Sequence, residues 1–408
     1  MINGRDNIVS FKSNPLISAT SYIEDTVLLN KAILDGARDV STVLHTNSKN
    51  EREERIRKSC IAWSTAFLTP IITLPLTNRL GMKYIAKLTR SFTAKEANLI
   101  QLSNKYLVNA KETEKGIHLL SQKLETDYRP ILDKVGGNYE VLRKKLINAK
   151  MAVLAFDFLF TSSILGGTGF INRYKTRKKT GRDGFSAEFN MADKSIVEKR
   201  TEKFKKTEKL RNNIFIASLL LLTSSPLLLR KGLLKNGGKF SEFVKLHSSM
   251  FDYNDGIFMK RLPFVLMTLV TDIGLLMSSR NQTEVKDNAI RISATQVAFF
   301  GGDIVIGSTL AAISDKLFKT ELLDKNCNKS WINKLIPPTK PIRDLEGKNK
   351  VIATGLFWVN MLTLFGIIGI TIPRMINKMI KRDVEKDVKE QEINTLRISM
   401  EDFVKQKK

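Results

Sequence analysis

Six stretches of the chain, at 59–78, 151–172, 212–229, 262–279, 292–314 and 351–373, are almost free of charge. Between them they hold three charged residues, all aspartates: Asp157, Asp272 and Asp303. A helix rises about 1.5 Å per residue, so about 20 apolar residues cross a hydrocarbon core of about 30 Å. Each stretch has that length, and its edges are sharp. Window 351–373 reads VIATGLFWVNMLTLFGIIGITIP, and window 212–229 carries SLLLLTSSPLLL, closed by Arg230 and Lys231. Window 59–78 opens directly after EREERIRK and stops at Arg79. Basic flanks beside apolar cores fit helices anchored at a lipid interface. The pattern predicts an all-α, polytopic membrane protein with about six transmembrane helices plus amphipathic extramembrane helices. The competing explanation is a soluble bundle, but six nearly uncharged helices are hard to bury in 408 residues. Pro70, Pro75 and Pro226 make 59–78 and 212–229 the windows most open to a re-entrant hairpin. Membrane helices tolerate proline where neighbours satisfy the freed carbonyls, so both stay in the count.

Around the membrane domain 59–373 the segments read differently. Residues 1–58 form a polar N-terminal arm with one amphipathic stretch at 22–44. The connection 79–150 is helical, with Ile85, Leu88, Phe92, Leu99, Leu102, Ile117, Leu120 and Leu124 at mostly three- to four-residue intervals. Thr93-Ala94-Lys95-Glu96 has the spacing of a capping box, so a helix is expected to start there. Arg129-Pro130 and Gly136-Gly137 are expected to break it. The connection 173–211 is the most basic, with 14 Lys+Arg against 6 acids. Ile336-Pro337-Pro338 and Lys340-Pro341 mark a loop within 315–350, and 374–408 reads as a charged C-terminal helix. No apolar run precedes Ser59, so the first window itself is expected to direct insertion. A shift of 146 places Asp303 on Asp157, Ala298 on Ala152 and Ser308 on Ser162, a faint hint of an inverted repeat.

Composition changes the picture only when it is divided. Taken whole, 67 Lys+Arg against 41 Asp+Glu give a net charge of +26, and the mean hydropathy is −0.14. Those averages describe a soluble basic protein and hide the segregation. Six crossings place both termini on one side, and the basic residues then divide 36 against 31 between the two sides. The dense charge of 173–211 tips the termini towards the cytoplasm. The expected location is an integral membrane, with a bacterial inner membrane favoured. Arg173, Lys175, Arg177, Lys178, Lys179 and Arg182 crowd the exit of the second window. Each contributes about 1 kcal/mol near an anionic leaflet, so the cluster is a candidate site for anionic phospholipid. No nucleic-acid partner is expected, because no reading helix, zinc spacing or RNP-like aromatic pattern accompanies the charge.

The three aspartates carry the chemistry. A carboxylate deep in a bilayer costs about 2.5–3.5 kcal/mol on insertion scales, so it faces a bundle interior or a cavity. No Lys, Arg or His lies in any window to neutralise it. The acids must hold protons, share one, or meet a cation; desolvation and like charge favour the protonated form. Asp157, Asp272 and Asp303 are therefore candidate proton- or cation-binding residues. Ser162 and Ser163, Ser278 and Ser279, and Ser308 and Thr309 follow them by one to two turns and could extend a polar track. The plainer alternative is that each acid makes interhelical hydrogen bonds that fix packing.

No enzyme is expected: GxxxxGK[ST], HExxH, CxxC and GxSxG are all missing from the sequence. Two Cys and three His are too few for a thiolate cluster or a multi-histidine metal site, and no cofactor is expected. Asp252-Tyr253-Asn254-Asp255-Gly256 lacks the later acidic ligand of a calcium loop and reads as a turn. The leading expectation is a proton- or cation-coupled transporter or channel. The alternative is a non-catalytic scaffold that binds anionic lipid, or a partner protein through 79–150.

Overall fold

The computed structural model describes residues 14–25, 27–46, 48–68, 72–86, 92–252, 261–324 and 335–406. It is helical, and the described residues form no strand beyond an isolated antiparallel bridge between Leu323 and Thr339. The N-terminal helices are α1 (Pro15–Asp25), α2 (Val27–Leu44), α3 (Lys49–Leu68) and α4 (Leu74–Ala86). The short α5 (Ala94–Ala97), α6 (Ala110–Leu124) and α7 (Arg129–Asp133) lead into the long α8 (Tyr139–Thr180). Next come α9 (Lys194–Lys205), α10 (Glu208–Leu234), α11 (Lys239–Leu246), α12 (Arg261–Met277) and α13 (Gln282–Val297). The last three are α14 (Asp303–Phe318), α15 (Gly347–Phe365) and α16 (Ile372–Gln406).

Among the described residues three helical segments are long and apolar enough to cross a membrane: Tyr139–Thr180, Glu208–Leu234 and Gly347–Glu390. The sequence predicts six, and the other three windows differ for local reasons. Window 262–279 is a shorter apolar helix, Pro263–Met277. In window 59–78 the described residues are helical up to Leu68 and again from residue 72, with Pro75 inside the helical run; Pro70 and its neighbours 69 and 71 lie outside the described residues. Window 292–314 is divided by a π-turn at Ala298–Gly302. The faint repeat also meets a local difference: α8 runs unbroken through Asp157, whereas Asp303 follows the π-turn.

The chain divides into two compact units, Glu53–Val285 and a second made of Met1–Arg52 with Lys286–Lys408. In the first, α8 is the central element. Its start is fixed by Asn138, whose Oδ1 accepts from the amides of Glu140 at 2.8 Å and Val141 at 3.3 Å. Its end is fixed by Gly181, which takes a left-handed turn at φ 65°. α10 runs antiparallel to α8, since Arg230 meets Asn148 and Arg173 meets Glu208. α12 runs parallel to α8: Ser162 lies level with Met267, Gly166 with Gly274 and Gly169 with Ser278. Gly166 and Gly274 let the two backbones touch, because a Cβ on Gly274 would stand 2.6 Å from the Gly166 Cα. α4 runs antiparallel to α8, with Gly81 against Ala149 and Lys145 donating to the Ile85 carbonyl at 3.0 Å. Window by window, the chain direction alternates through this unit.

The apolar surface of the unit faces outward. Leu220, Leu221, Leu227 and Leu228 of α10 and Phe156 and Leu159 of α8 are exposed, while Asp157, Thr161, Thr168 and Asn172 are buried. That inversion suits a hydrocarbon solvent. The connection 79–150 is folded onto the same unit, with Leu99, Leu102 and Leu107 in its core. Thr93 and Glu96 form the expected capping box, but the helix it starts lasts one turn before 3₁₀ structure takes over.

In the second unit the described part of the expected polar arm is largely helical, and it packs on the last apolar segment. Trp358 Nε1 donates to Thr20 Oγ1 at 3.0 Å, and Asn377 Nδ2 donates to the His45 carbonyl at 2.6 Å. Between them a π-turn at Gly366–Thr371 disturbs the helical ladder, and the Gly369 carbonyl accepts from Ser41 Oγ. Arg291 ties α13 to α2, bonding Asp287 at 2.6 Å and Thr42 at 2.8 Å.

Candidate functional site

Asp157 and Asp272 lie in the same unit, on α8 and α12, and Asp303 lies in the other. Asp157 is fully buried and Asp272 half-buried. The Asp303 side chain is outside the described residues. By the register of α8 and α12, Asp272 falls level with Ile164 and Leu165, roughly 11 Å along the axis from Asp157. The two acids are therefore separate stations along one bundle.

On α8 Asp157 heads a file of buried polar side chains whose other members the sequence reading did not pick out. Asp157, Thr161, Thr168, Asn172 and Thr176 are all buried on α8. Their spacings of 4, 7, 4 and 4 residues keep them in a sector of roughly 100° at 3.6 residues per turn. The file has one gap, between Thr161 and Thr168, and Asp272 stands at the level of that gap. Of the hydroxyls picked out by sequence, Ser162, Ser278 and Ser279 are buried in this unit. In the other unit Ser308 is buried and Thr309 exposed, its Oγ1 donating to the Val305 carbonyl at 2.7 Å.

At its C-terminal end the file runs into a buried charge network. Thr176 Oγ1 donates to Glu54 Oε1, and Asn172 Nδ2 donates to the Glu54 carbonyl at 3.3 Å. Arg280, just beyond α12, donates from Nη1 and Nη2 to the Glu54 carboxylate at 2.8 and 2.9 Å. It also grips Glu284 through Nε at 2.9 Å and Nη2 at 2.8 Å. Burial pushes the Glu54 carboxyl up, but Arg280 and the hydroxyls of Ser186 and Thr176 override it and hold it below the usual 4.5. Burial likewise opposes the charge of Arg280, yet two carboxylates hold its pKa well above the usual arginine value.

Part of the basic connection is folded into this end. Phe185, Ser186, Ala187, Glu188 and Phe189 are all buried, within the most basic connection of the chain. Ser186 Oγ donates to Glu54 Oε2 at 2.6 Å. Asn281 Nδ2 donates to Glu188 Oε2 at 2.9 Å, and Arg200 Nη1 stands 3.2 Å from Glu188 Oε1. The rings of Phe185 and Phe189 lie under guanidinium groups, Arg280 at 5.7 Å and Arg182 at 5.5 Å. The alternation of apolar and polar residues in GFSAEFN was the available signal, but it was masked by fourteen basic neighbours.

The six basic residues proposed for lipid divide in the same way. Arg173 bonds Asp183 at 3.1 Å and Glu208 at 2.6 Å; Lys179 pairs with Glu53; Arg182 Nη1 donates to the Phe189 carbonyl at 3.4 Å. Lys175, Arg177 and Lys178 are exposed, and so is Lys179 despite its ion pair.

The opposite end of the unit has its own buried pair. Lys150 Nζ donates to the Leu102 carbonyl at 2.7 Å and stands 3.6 Å from Asp252 Oδ1. Asp252 accepts from the Asn104 amide at 2.6 Å and from Ser103 Oγ, so it is a structural acceptor here; residues 253–256 of the expected turn lie outside the described residues. Among the described residues no group of three or more His, Cys, Asp or Glu is placed to hold a metal ion. No protein-family model, curated protein or solved structure matches this chain.

Proposed function

We propose that this chain is a six-span membrane protein that moves protons or small cations through the bundle of its Glu53–Val285 unit, as a coupled transporter or a channel. The observation that carries the reading is the buried file on α8, from Asp157 in mid-helix to Glu54 at the helix end. Four of the six windows lie in this unit, and their alternating direction is what successive crossings require. A lone buried acid is explained by packing. A buried acid followed by Thr161, Thr168, Asn172 and Thr176 towards a second carboxylate offers successive positions for a proton or a partly hydrated cation. Asp157 is the main site in this reading, and Asp272 serves the gap in the file. Asp303, in the other unit, is a separate candidate.

The test is flux in reconstituted vesicles under an imposed proton or cation gradient. Asp157→Asn keeps the protein folded and lowers gradient-driven flux at least tenfold. Flux equal to the unsubstituted protein overturns the proposal.

A second reading, a non-catalytic protein that engages the membrane surface, is favoured by Lys175, Arg177 and Lys178, which stand exposed together at the end of α8. These three, rather than all six basic residues, are proposed to meet anionic headgroups. Replacing them with Gln should weaken retention of anionic lipid through purification without changing the unfolding midpoint. Unchanged retention counts against it.

A further inference from the structure

The end of the polar file is covered. Residues 185–189 sit against Glu54 through Ser186 and against Asn281 through Glu188. The segment is anchored on both sides: Gly181 ends α8 before it and α9 begins after it at Lys194. It has no regular helix of its own beyond a 3₁₀ turn at Ser186–Glu188, so its place depends on side chains. Within it the carboxyl of Glu188 is fully buried.

We propose that residues 185–189 form a plug over the Glu54 end of the file, held shut by a proton on Glu188 and released when that proton leaves. The gating role rests on conduction along α8; the plug itself stands on the geometry of this end alone. Charged groups face Glu188 and its segment from every element packed on them, and Arg55 of α3 lies over the Phe185 ring at 6.0 Å. Arg200 comes from α9; Arg280 and Glu284 come from the turn after α12 and the start of α13; Glu54 comes from α3. The donors of Arg280 are taken by Glu54 and Glu284, so Arg200 is the cation nearest Glu188. Arg200 is itself shared, since its Nη2 donates to Thr283 Oγ1 at 2.6 Å. Burial pushes the Glu188 carboxyl up to about 7; Arg200 and Asn281 pull it down, and Glu284 adds to the rise.

The direction follows from linkage. An open plug returns Glu188 towards its usual 4.5, while the closed plug holds the proton up to about 7. Between those values the closed form binds one proton more, so opening increases about tenfold per pH unit. Below 4.5 the plug is fully shut, and above 7 opening levels off.

Hydrogen–deuterium exchange on the full-length protein in lipid nanodiscs, from pH 4.5 to 8, tests this. The amides of Glu188, Phe189, Met191 and Ala192 are all bonded within the segment when it is closed. After correction for intrinsic exchange, their protection should fall at least tenfold between pH 5 and 7 and then level off, while peptides from α8 stay constant. Glu188→Gln should abolish that dependence. Arg200→Gln, which removes the nearest cation, should carry the levelling-off to higher pH. Protection that does not change with pH, or that changes equally in Glu188→Gln, overturns the plug whatever the flux shows. A pH-dependent plug with normal flux in Asp157→Asn would instead overturn conduction along the file and leave the plug standing.

Discussion

Arg280 and Glu54 are 226 residues apart in sequence and meet in a two-pronged ion pair, Nη1 to Oε1 at 2.8 Å and Nη2 to Oε2 at 2.9 Å. Both side chains are almost fully buried, at 4% and 7% exposure. A buried pair of this kind adds little against an apolar replacement of both partners, but losing one partner strands the other. Arg280→Met leaves Glu54 and Glu284 together without their shared cation and should cost about 3–5 kcal/mol. Glu54→Gln should cost less, because Glu284 still holds the guanidinium. The two effects should be non-additive in a double-mutant cycle read by thermal unfolding in detergent. Additive costs would show that the pair is energetically uncoupled.

The pH profile of stability follows from Glu54 and Glu188, which act in opposite directions. The carboxyl of Glu54 is held below 4.5, so its contribution is present above that pH and is lost as pH falls through the lowered value. Glu188 is raised, so its contribution is present below 4.5 and is lost as pH climbs towards about 7. On these two groups the unfolding midpoint peaks in the mildly acidic range, near pH 5. In Glu188→Gln the decline from pH 5 to 7 should vanish while the acid limb remains. A profile whose neutral limb is the same in both proteins would remove Glu188 from the account.

The parts of this structure that were legible in the sequence are those set by local chemistry. Window 151–172 marks the apolar middle of α8, and the basic flank that ends it is also where Gly181 terminates the helix. The extension of α8 back to Tyr139 was not legible, because residues 139–150 are polar enough to read as connection yet form good helix against the core. Thr93 and Glu96 showed their capping box through spacing alone. Asp157 was found by the cost of a charge among apolar residues. The sequence reading carried it on to Ser162 and Ser163 and passed over Thr168 and Asn172, since a threonine in a membrane helix usually bonds its own backbone, as Thr168 does to the Ile164 carbonyl at 3.0 Å. Glu54 and Arg280 could not be found this way. Each sits among ordinary interfacial charges, and only tertiary folding brings them together.

The contact of α8 and α12 should be intolerant of bulk. A Cβ at Gly274 would meet the Gly166 Cα at 2.6 Å and the Phe215 ring at the same distance. Backbone cannot move aside as a flexible side chain can, so Gly274→Ala should force the helices apart and cost about 1–3 kcal/mol. Gly167→Ala is the control one residue away from the contact, since nothing lies within 4 Å of its added methyl. Equal melting temperatures for the two variants would show that the close approach is not maintained.

The last prediction separates a conducting file from a packed one. Thr168 is buried on the Asp157 face of α8, and its hydroxyl serves the helix backbone while keeping a lone pair for an incoming ion or water. Thr168→Val has nearly the same shape and removes only the hydroxyl. If the file merely packs, the loss is one back-bond that the helix does not need, and stability should change by less than about 1 kcal/mol. If the file conducts, the same change leaves a longer apolar gap, from Thr161 to Asn172, or roughly 16 Å at 1.5 Å per residue. Gradient-driven flux should then fall several-fold at unchanged stability, and Thr168→Ser should restore it. Flux that survives Thr168→Val while Asp157→Asn abolishes it would confine the site to Asp157 and take the rest of α8 out of the path.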